Sequence, residues 1–246
     1  MSRLAVVIAA YDERDNVEPL VRRLRATLDG LAGWDWELIF VVEGTDGTRE
    51  ALAALQPEVP GLRVLYQAQP TGIGDAFRRG FAGVAADADF VCTLDADLNH
   101  QPEEIPRLLA AAQRRGCDVL VGSRFVPGAT VEGAPRWKRL LSIAVNRLMR
   151  HLYGLQVADK TSGFRVYRAA ALRRLAFDND AFAFLPELLV RAKRLGLTLA
   201  EEPIHFVFRR HGRSKMGLWD TSRSYLSLLR PRIRRPAQPP SRSSTT

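Results

Sequence analysis

The chain has 246 residues, 46% of them hydrophobic, enough to bury one large α/β core and few for two full domains. Thirty-six basic and 27 acidic residues leave a net charge of +9, a sign that suits phosphate-bearing partners: nucleotide, anionic lipid or nucleic acid. No apolar run reaches the roughly 18 residues a membrane helix needs, residues 4–10 are too short for a signal peptide, and Cys92 and Cys117 lack metal-ligand spacing, so the expectation is a cytoplasmic protein whose membrane contact is peripheral.

In chain order, short buried-type strands alternate with helical patterns. Residues 4–8, rich in β-branched side chains, read as a first strand. Residues 17–28 follow as a helix, with Val17, Leu20, Val21, Leu24 and Leu28 on one face. Residues 38–42 read as the second strand, 48–55 as a helix, 63–66 as the third strand, and 73–85 as a helix entered through a glycine turn. Residues 90–94 make the fourth strand, 102–115 a helix with Pro102 in its first turn, and 119–121 the fifth strand. After Arg124 the alternation breaks: 136–153 is a basic, apolar helix, 181–195 another helix, and 199–208 extended chain. Such alternation predicts an α/β fold, a mostly parallel sheet with helices on both faces.

Ligands in such sheets bind at the carboxyl ends of the strands, and the polar residues fall there. Asp12 and Glu13 follow strand one, Glu43 and Asp46 strand two, Asp95 and Asp97 strand four, and Ser123 and Arg124 strand five. The sharpest of these is Thr93-Leu94-Asp95-Ala96-Asp97-Leu98-Asn99-His100. Two carboxylates one residue apart repel each other unless a cation or proton intervenes. Oxygen ligands point to Mg²⁺ or Mn²⁺, and a cation that also touches a diphosphate neutralises charge on a departing nucleotide. His100 reads either as a base or as a plain helix-start residue before Pro102; Arg165 reads either as a phosphate contact or as one half of a structural salt bridge; Glu187, at the opening of a helix, needs no more than the helix dipole to explain it. Gly72 and Gly74 mark a turn, with phosphate or ribose proximity left open.

The segment from Asp95 to Pro102 resembles the metal-binding motif of family 2 glycosyltransferases, and more narrowly that of the polyprenol (dolichol) phosphate mannosyltransferases. The resemblance runs in order from Leu4 to about Met216. Ile8-Ala9-Ala10-Tyr11-Asp12-Glu13 with Asn16 resembles the first nucleotide loop. Thr71-Gly72-Ile73-Gly74-Asp75-Ala76 resembles the glycine turn, and Val121-Gly122-Ser123-Arg124 the Gly-Ser-Arg segment. Asp159-Lys160-Thr161-Ser162-Gly163-Phe164-Arg165 resembles the acceptor-side motif, and Gly212-Arg213-Ser214-Lys215 a late Gly-x-Ser-Lys motif. The resemblance implies a GT-A fold, a divalent cation (Mg²⁺ or Mn²⁺) and inversion at the sugar carbon. It implies that Asp95, Asp97 and Asn99 hold the metal. Nucleotide-sugar contacts are implied at Ala9, Tyr11, Glu13, Asp46, Gly72, Gly74, Asp75 and Ala96, and phosphate contacts at Arg124, Arg209, Ser214 and Lys215, with Asp159 near the acceptor. The implied partners are a nucleotide-sugar donor, GDP-mannose favoured, and a polyprenyl phosphate. The chain departs from the pattern at Ala9, usually Pro, at Asp12, usually Asn, and after strand two, where Glu43-Gly44-Thr45-Asp46 replaces two adjacent aspartates. That loop helps hold the base, so UDP-glucose stands as the alternative donor.

An acceptor phosphate is already anionic near neutral pH and needs cationic side chains more than a strong base, which suits a site rich in Arg. Residues 136–153 contain no acid, and Trp137, Leu140, Leu141, Ala144, Leu148 and Leu152 share a broad face, as a helix lying on a lipid surface would. Its alternative is a core helix with a solvated basic face. A catalytic domain is expected over residues 1–216. Residues 217–235 form a second basic amphipathic segment for an anionic membrane, and residues 236–246, Pro, Ser, Gln and Thr with one Arg, a disordered tail. A separate membrane subunit is a further possible partner. Against a nucleic-acid binder, the basic residues are not interleaved with stacking aromatics in a recognised module. Against an inert relative stand the intact Asp95, Asp97, Arg124 and Lys215, and against a dehydrogenase the lack of Gly-x-Gly-x-x-Gly after strand one.

Overall fold

The computed structural model describes residues 1–208. The elements run β1 (Ser2–Tyr11), α1 (Arg14–Asp29), β2 (Trp34–Glu43), α2 (Thr48–Leu55), β3 (Leu62–Gln67), α3 (Ile73–Ala82) and β4 (Phe90–Thr93). A 3-10 turn at Pro102–Glu104 leads into α4 (Ile105–Arg115), followed by β5 (Val119–Ser123), β6 (Thr130–Glu132) and α5 (Arg136–Tyr153). Then come β7 (Arg165–Arg168), α6 (Ala169–Leu172), α7 (Phe184–Arg194), β8 (Leu199–Pro203) and β9 (His205–Val207).

Seven strands make one sheet in the order β3-β2-β1-β4-β7-β5-β8. Every neighbouring pair is parallel except those of β7, which runs antiparallel between β4 and β5. The long apolar runs of β1 and β2 follow from burial on both faces. Leu4, Val6 and Ile8 pack under α1, α2 and α4, while Ala5 and Val7 face the layer of α3, α5 and α7. The five anticipated parallel strands are therefore present, four with longer ends and β4 one residue shorter than expected.

The second half departs from the expected plan. The extended stretch 199–208 breaks at Ile204: β8 joins the edge of the main sheet, while β9 leaves it and pairs in parallel with β6. An isolated bridge from Phe206 to His100 ties β9 back to the loop after β4. Strands β6 and β7 and the short α6 were not anticipated. The helix expected over 73–85 stops at Ala82, before Gly83, and the one expected over 181–195 begins only at Phe184.

Helix α5 spans the expected residues. Val145 and Met149 are buried and Leu141 packs against the core beside them. Trp137, Leu140, Leu148 and Leu152 are exposed, Leu140 by 65%. Among the described residues, no helix is long and apolar enough to cross a membrane. Residues 217–235 and 236–246 lie outside the described part, as do Arg209, Ser214 and Lys215.

Candidate active site

Strand β4 ends at Thr93, whose hydroxyl donates to the Gly163 carbonyl at 2.7 Å. The chain then turns through Asp95 and Asp97, and Leu98 takes a left-handed φ of 60°. That conformation costs a non-glycine residue about 1 kcal/mol or more and curls Asn99 back onto Asp97. The Asn99 amide donates to Asp97 Oδ1 at 3.1 Å and its side-chain nitrogen to Oδ2 at 2.6 Å, so Asn99 braces the carboxylate.

Both carboxyl groups are held well above their ordinary range, to about 6. Burial is the largest cause for each. The charge of Asp95 adds to it at Asp97, and at Asp95 the pull of Arg124 opposes the push of Glu13. The ends of β1, β4 and β5 therefore converge on one rim, where the charges of the described residues leave both carboxyl groups raised.

His100 is buried, with its ring between Phe164 and Phe206 at centroid distances of 5.2 and 5.3 Å. Its Nδ1 accepts the Asp95 amide at 3.3 Å, and burial lowers its pKa to about 4. It fits neither of its two expected readings: buried and neutral, it braces the Asp95 backbone.

Arg124, just past β5, is gripped by Asp159, which is wholly buried. Nε donates to Asp159 Oδ2 at 2.7 Å and Nη2 to Oδ1 at 2.9 Å, while Nη2 also reaches Thr161 Oγ1 at 2.8 Å. The Arg124 guanidinium lies over the Phe206 ring, 5.2 Å from its centroid. Despite burial, Arg124 holds the Asp159 carboxyl below its usual range. Asp159 is in turn fixed by Glu201, which accepts its amide at 2.9 Å and that of Ala158 at 2.6 Å. Two residues expected to act separately are thus one clamp, and Asp159 aims the guanidinium.

The rest of the acceptor-side motif is scaffold. Arg165 is fully buried and donates to the carbonyls of Ser162, Leu185 and Lys160 at 2.8, 2.8 and 2.9 Å; among the described residues it forms no salt bridge, and its burial leaves no surface for a phosphate. Gly163 is glycine for a steric reason: a Cβ there would lie 2.8 Å from Asp95 Oδ1. Glu187 is buried and accepts the amides of Asp178 and Asn179, both at 3.1 Å, which goes beyond a helix-dipole role.

On the β1–β3 side the acids are already engaged. Asp46 accepts the Thr48 amide and hydroxyl at 3.0 and 2.6 Å and the Arg14 amide at 3.2 Å. Thr48 Oγ1 also accepts the Glu13 amide at 2.8 Å, which knits the first two loops together. Glu43, buried, takes the Thr71 hydroxyl at 2.8 Å and pairs with Arg79. Asp75 is held low, first by the Thr71 hydroxyl, and it meets Arg78 and Arg79 at 3.1 and 3.0 Å. Gly74 donates its amide to Asp180 O at 2.8 Å, and a Cβ on Gly72 or Gly74 would strike the 179–180 backbone, so here the glycines admit another segment of chain. Tyr11 is exposed at the rim, Ala96 is buried in one core layer, and Ala9 packs against the other.

Sequence reasoning did not single out Thr161, Glu201 or Phe206. They act through Arg124 and Asp159 from distant chain positions, and the one available signal was Thr161 inside the acceptor-side motif.

Residues 5–176 match the family model for glycosyl transferase family 2. The chain is 34% identical over 220 residues to the undecaprenyl-phosphate mannosyltransferase of Micrococcus luteus, covering 87% of each chain. It is 35% identical over 223 residues to the polyprenol monophosphomannose synthase of Mycolicibacterium smegmatis, covering 87% of this chain and 81% of that one. Among solved structures it resembles glucosyl-3-phosphoglycerate synthase from Mycobacterium tuberculosis, crystallised with Mn²⁺, UDP and phosphoglyceric acid. The TM-score is 0.69 at 22% identity, over 93% of this chain and 76% of that one, a likeness of fold.

Proposed function

The chain belongs to glycosyl transferase family 2, and from that footing we propose that it moves mannose from GDP-mannose onto a polyprenyl phosphate at a membrane surface. The carrying observation is the rim itself. Two undercompensated carboxylates face a clamped guanidinium, in a chain about one-third identical to two enzymes named for mannose and polyprenol.

The donor set fits a divalent cation. Asp95 and Asp97 offer hard oxygen ligands, and an added positive charge offsets the burial and the neighbouring negative charges, Glu13 at Asp95 and Asp95 at Asp97, that raise their pKa values. The solved fold relative holds Mn²⁺ together with UDP. Among the described residues no group of three or more His, Cys, Asp or Glu is placed to hold a metal ion by itself. In this reading Asp95 and Asp97 hold Mg²⁺ or Mn²⁺, with Asn99 beside them, and the ion supplies charge neutralisation for the departing nucleoside diphosphate.

Arg124, with Arg209, Ser214 and Lys215, binds phosphate oxygens. Tyr11 and Glu13 border the nucleotide. An acceptor phosphate oxygen forms the new bond to the anomeric carbon as the bond to the diphosphate breaks on the opposite face, so the centre inverts. No side chain has to remove a proton, consistent with a buried neutral His100. Asp159 keeps the Arg124 guanidinium oriented.

The exposed apolar side chains of α5, next to exposed Arg139, Arg147 and Arg150, support its lying on an anionic membrane at the cytoplasmic face. A separate membrane subunit is compatible with this surface.

The test is purified protein with GDP- and UDP-sugars, Mg²⁺ or Mn²⁺, and polyprenyl phosphate, read as lipid-linked sugar by mass spectrometry. Mannolipid from GDP-mannose is the expected product. UDP-glucose belongs in the panel because Glu43 and Asp46, in the loop that departs from the family pattern, are engaged by the protein's own residues. Sugar release to water with no lipid product from any donor would refute the acceptor. Flotation with anionic vesicles at low salt checks the membrane arm: protein left at the bottom of the gradient counts against it.

A further inference from the structure

Residues 204–207 tie the loop after β4 to the loop after β5. Ile204-His205-Phe206-Val207 alternates as a strand should: Ile204 and Phe206 turn inward, 2% and 8% exposed, while His205 and Val207 are half-buried. Towards β5, the Ile204 amide donates to the carbonyl of Ser123, the residue before Arg124, at 3.1 Å, and the Arg124 guanidinium lies over the Phe206 ring. Towards β4, the Val207 amide donates to the Asn99 carbonyl at 3.0 Å, and the Phe206 ring meets the His100 ring edge-on, with 70° between their planes. His100 in turn accepts the Asp95 amide, and Asn99 braces Asp97. One aromatic side chain is thus packed between the guanidinium of one loop and the imidazole of the other.

A flat ring can meet both groups at once, whereas an aliphatic side chain would fill the space without the ring's charge distribution to hold a cation over its face. We propose that Phe206 is a positioning residue, which sets the Asp95–Asp97 pair and the Arg124 guanidinium relative to each other. A cation on the carboxylates and a guanidinium on phosphate oxygens serve one displacement only at a fixed span, and a misplacement of about 1 Å costs about a hundredfold in rate. The effect on rate rests on the transfer reaction proposed above; the effect on cation binding rests only on the rim's holding a cation.

The experiment uses the full chain. Phe206→Leu and Phe206→Met keep an apolar side chain but no ring. Phe90→Leu is the control: it removes a ring that also lies under a guanidinium, that of Arg168 at 5.5 Å, but at the opposite end of β4. Mn²⁺ affinity is read by electron paramagnetic resonance, which needs no turnover, and sugar transfer to polyprenyl phosphate as kcat/KM at saturating Mn²⁺. Each Phe206 variant is expected to weaken Mn²⁺ binding by about tenfold and to lower kcat/KM by about tenfold. In an Arg124→Lys background the same change should lower kcat/KM by less than about twofold more, since the ring acts on rate through that guanidinium. The loss of Mn²⁺ affinity should persist there. Phe90→Leu should lower the melting temperature as Phe206→Leu does, yet leave Mn²⁺ affinity and kcat/KM within about twofold of wild type. Wild-type Mn²⁺ affinity or wild-type kcat/KM in both Phe206 variants overturns the assignment. So does an equal loss in Phe90→Leu, or a rate loss that multiplies fully with that of Arg124→Lys. A wild-type chain that binds Mn²⁺ but makes no sugar lipid refutes the transfer reaction instead, and the Mn²⁺ comparison alone then decides for or against Phe206.

Discussion

The two halves of the rim treat their acids in opposite ways. On the β1–β3 side Glu43, Asp46 and Asp75 each have protein partners: an arginine, a threonine hydroxyl or a backbone amide. On the β4–β5 side Asp95 and Asp97 are held up to about 6, first by burial, then by the charge of Glu13 at Asp95 and of Asp95 at Asp97. A satisfied carboxylate stabilises the fold around it. An undercompensated one is a standing cost that a bound cation removes, so the second half is where ligand chemistry belongs.

Breaking the undercompensated half should have the largest effect. Asp97→Ala is expected to lower sugar transfer by about a thousandfold or more, since a metal's contribution to such a transition state is several kcal/mol. Without added metal its melting temperature should not fall, because a repulsive charge has gone. Initial rates and a thermal scan check both, and wild-type turnover would remove the metal assignment. Next is Arg124→Lys, which keeps the charge but loses the forked contact with Asp159. About a hundredfold loss in kcat/KM is expected. Asp159→Ala should also destabilise the fold by about 3–5 kcal/mol, because one partner of a buried ion pair is left alone. Denaturant titration separates these two outcomes.

Smaller effects sharpen the contrast. Gly163→Ala forces a methyl group against Asp95 and should weaken apparent cation affinity by about tenfold, with the fold retained. Cation affinity should also fall by up to about tenfold per pH unit below 6 for each carboxylate that must lose a proton to bind. The stability sign follows from the same groups. Folded pKa values near 6 against 3.8 mean that the metal-free protein binds extra protons between about pH 4 and 6. Their contribution is therefore lost as pH rises through that window, and added Mn²⁺ should restore it at pH 7 but not at pH 5. Glu43→Gln, on the satisfied side, is expected to cost about 1–3 kcal/mol of stability while changing transfer by less than about threefold at saturating donor. A rate loss as large as that of Asp97→Ala would erase the distinction between the two halves.

The β1–β3 half was legible in the sequence because each of its signals is local. A run of buried aliphatics makes a strand, a 3.6-residue apolar stripe makes a helix, and parallel connections put every strand end on one rim. Asp95, Asp97 and Arg124 were legible as polar residues just past apolar strands. Strand β7 was not, because Arg165-Val166-Tyr167-Arg168 has no periodic signal long enough to separate it from a loop, and its place depends on a gap left between β4 and β5.

By itself the sequence determined the layered α/β plan, the rim and the kinds of side chain on it, since these follow from patterns within a dozen residues. Only the tertiary structure decided how those side chains are used. It joined Arg124 to Asp159 across 35 residues, tied His100 to β9, and turned Arg165 inward onto carbonyls. Hydrogen-bond partners and burial are properties of what folds nearby, and the protein's linear order does not encode them position by position.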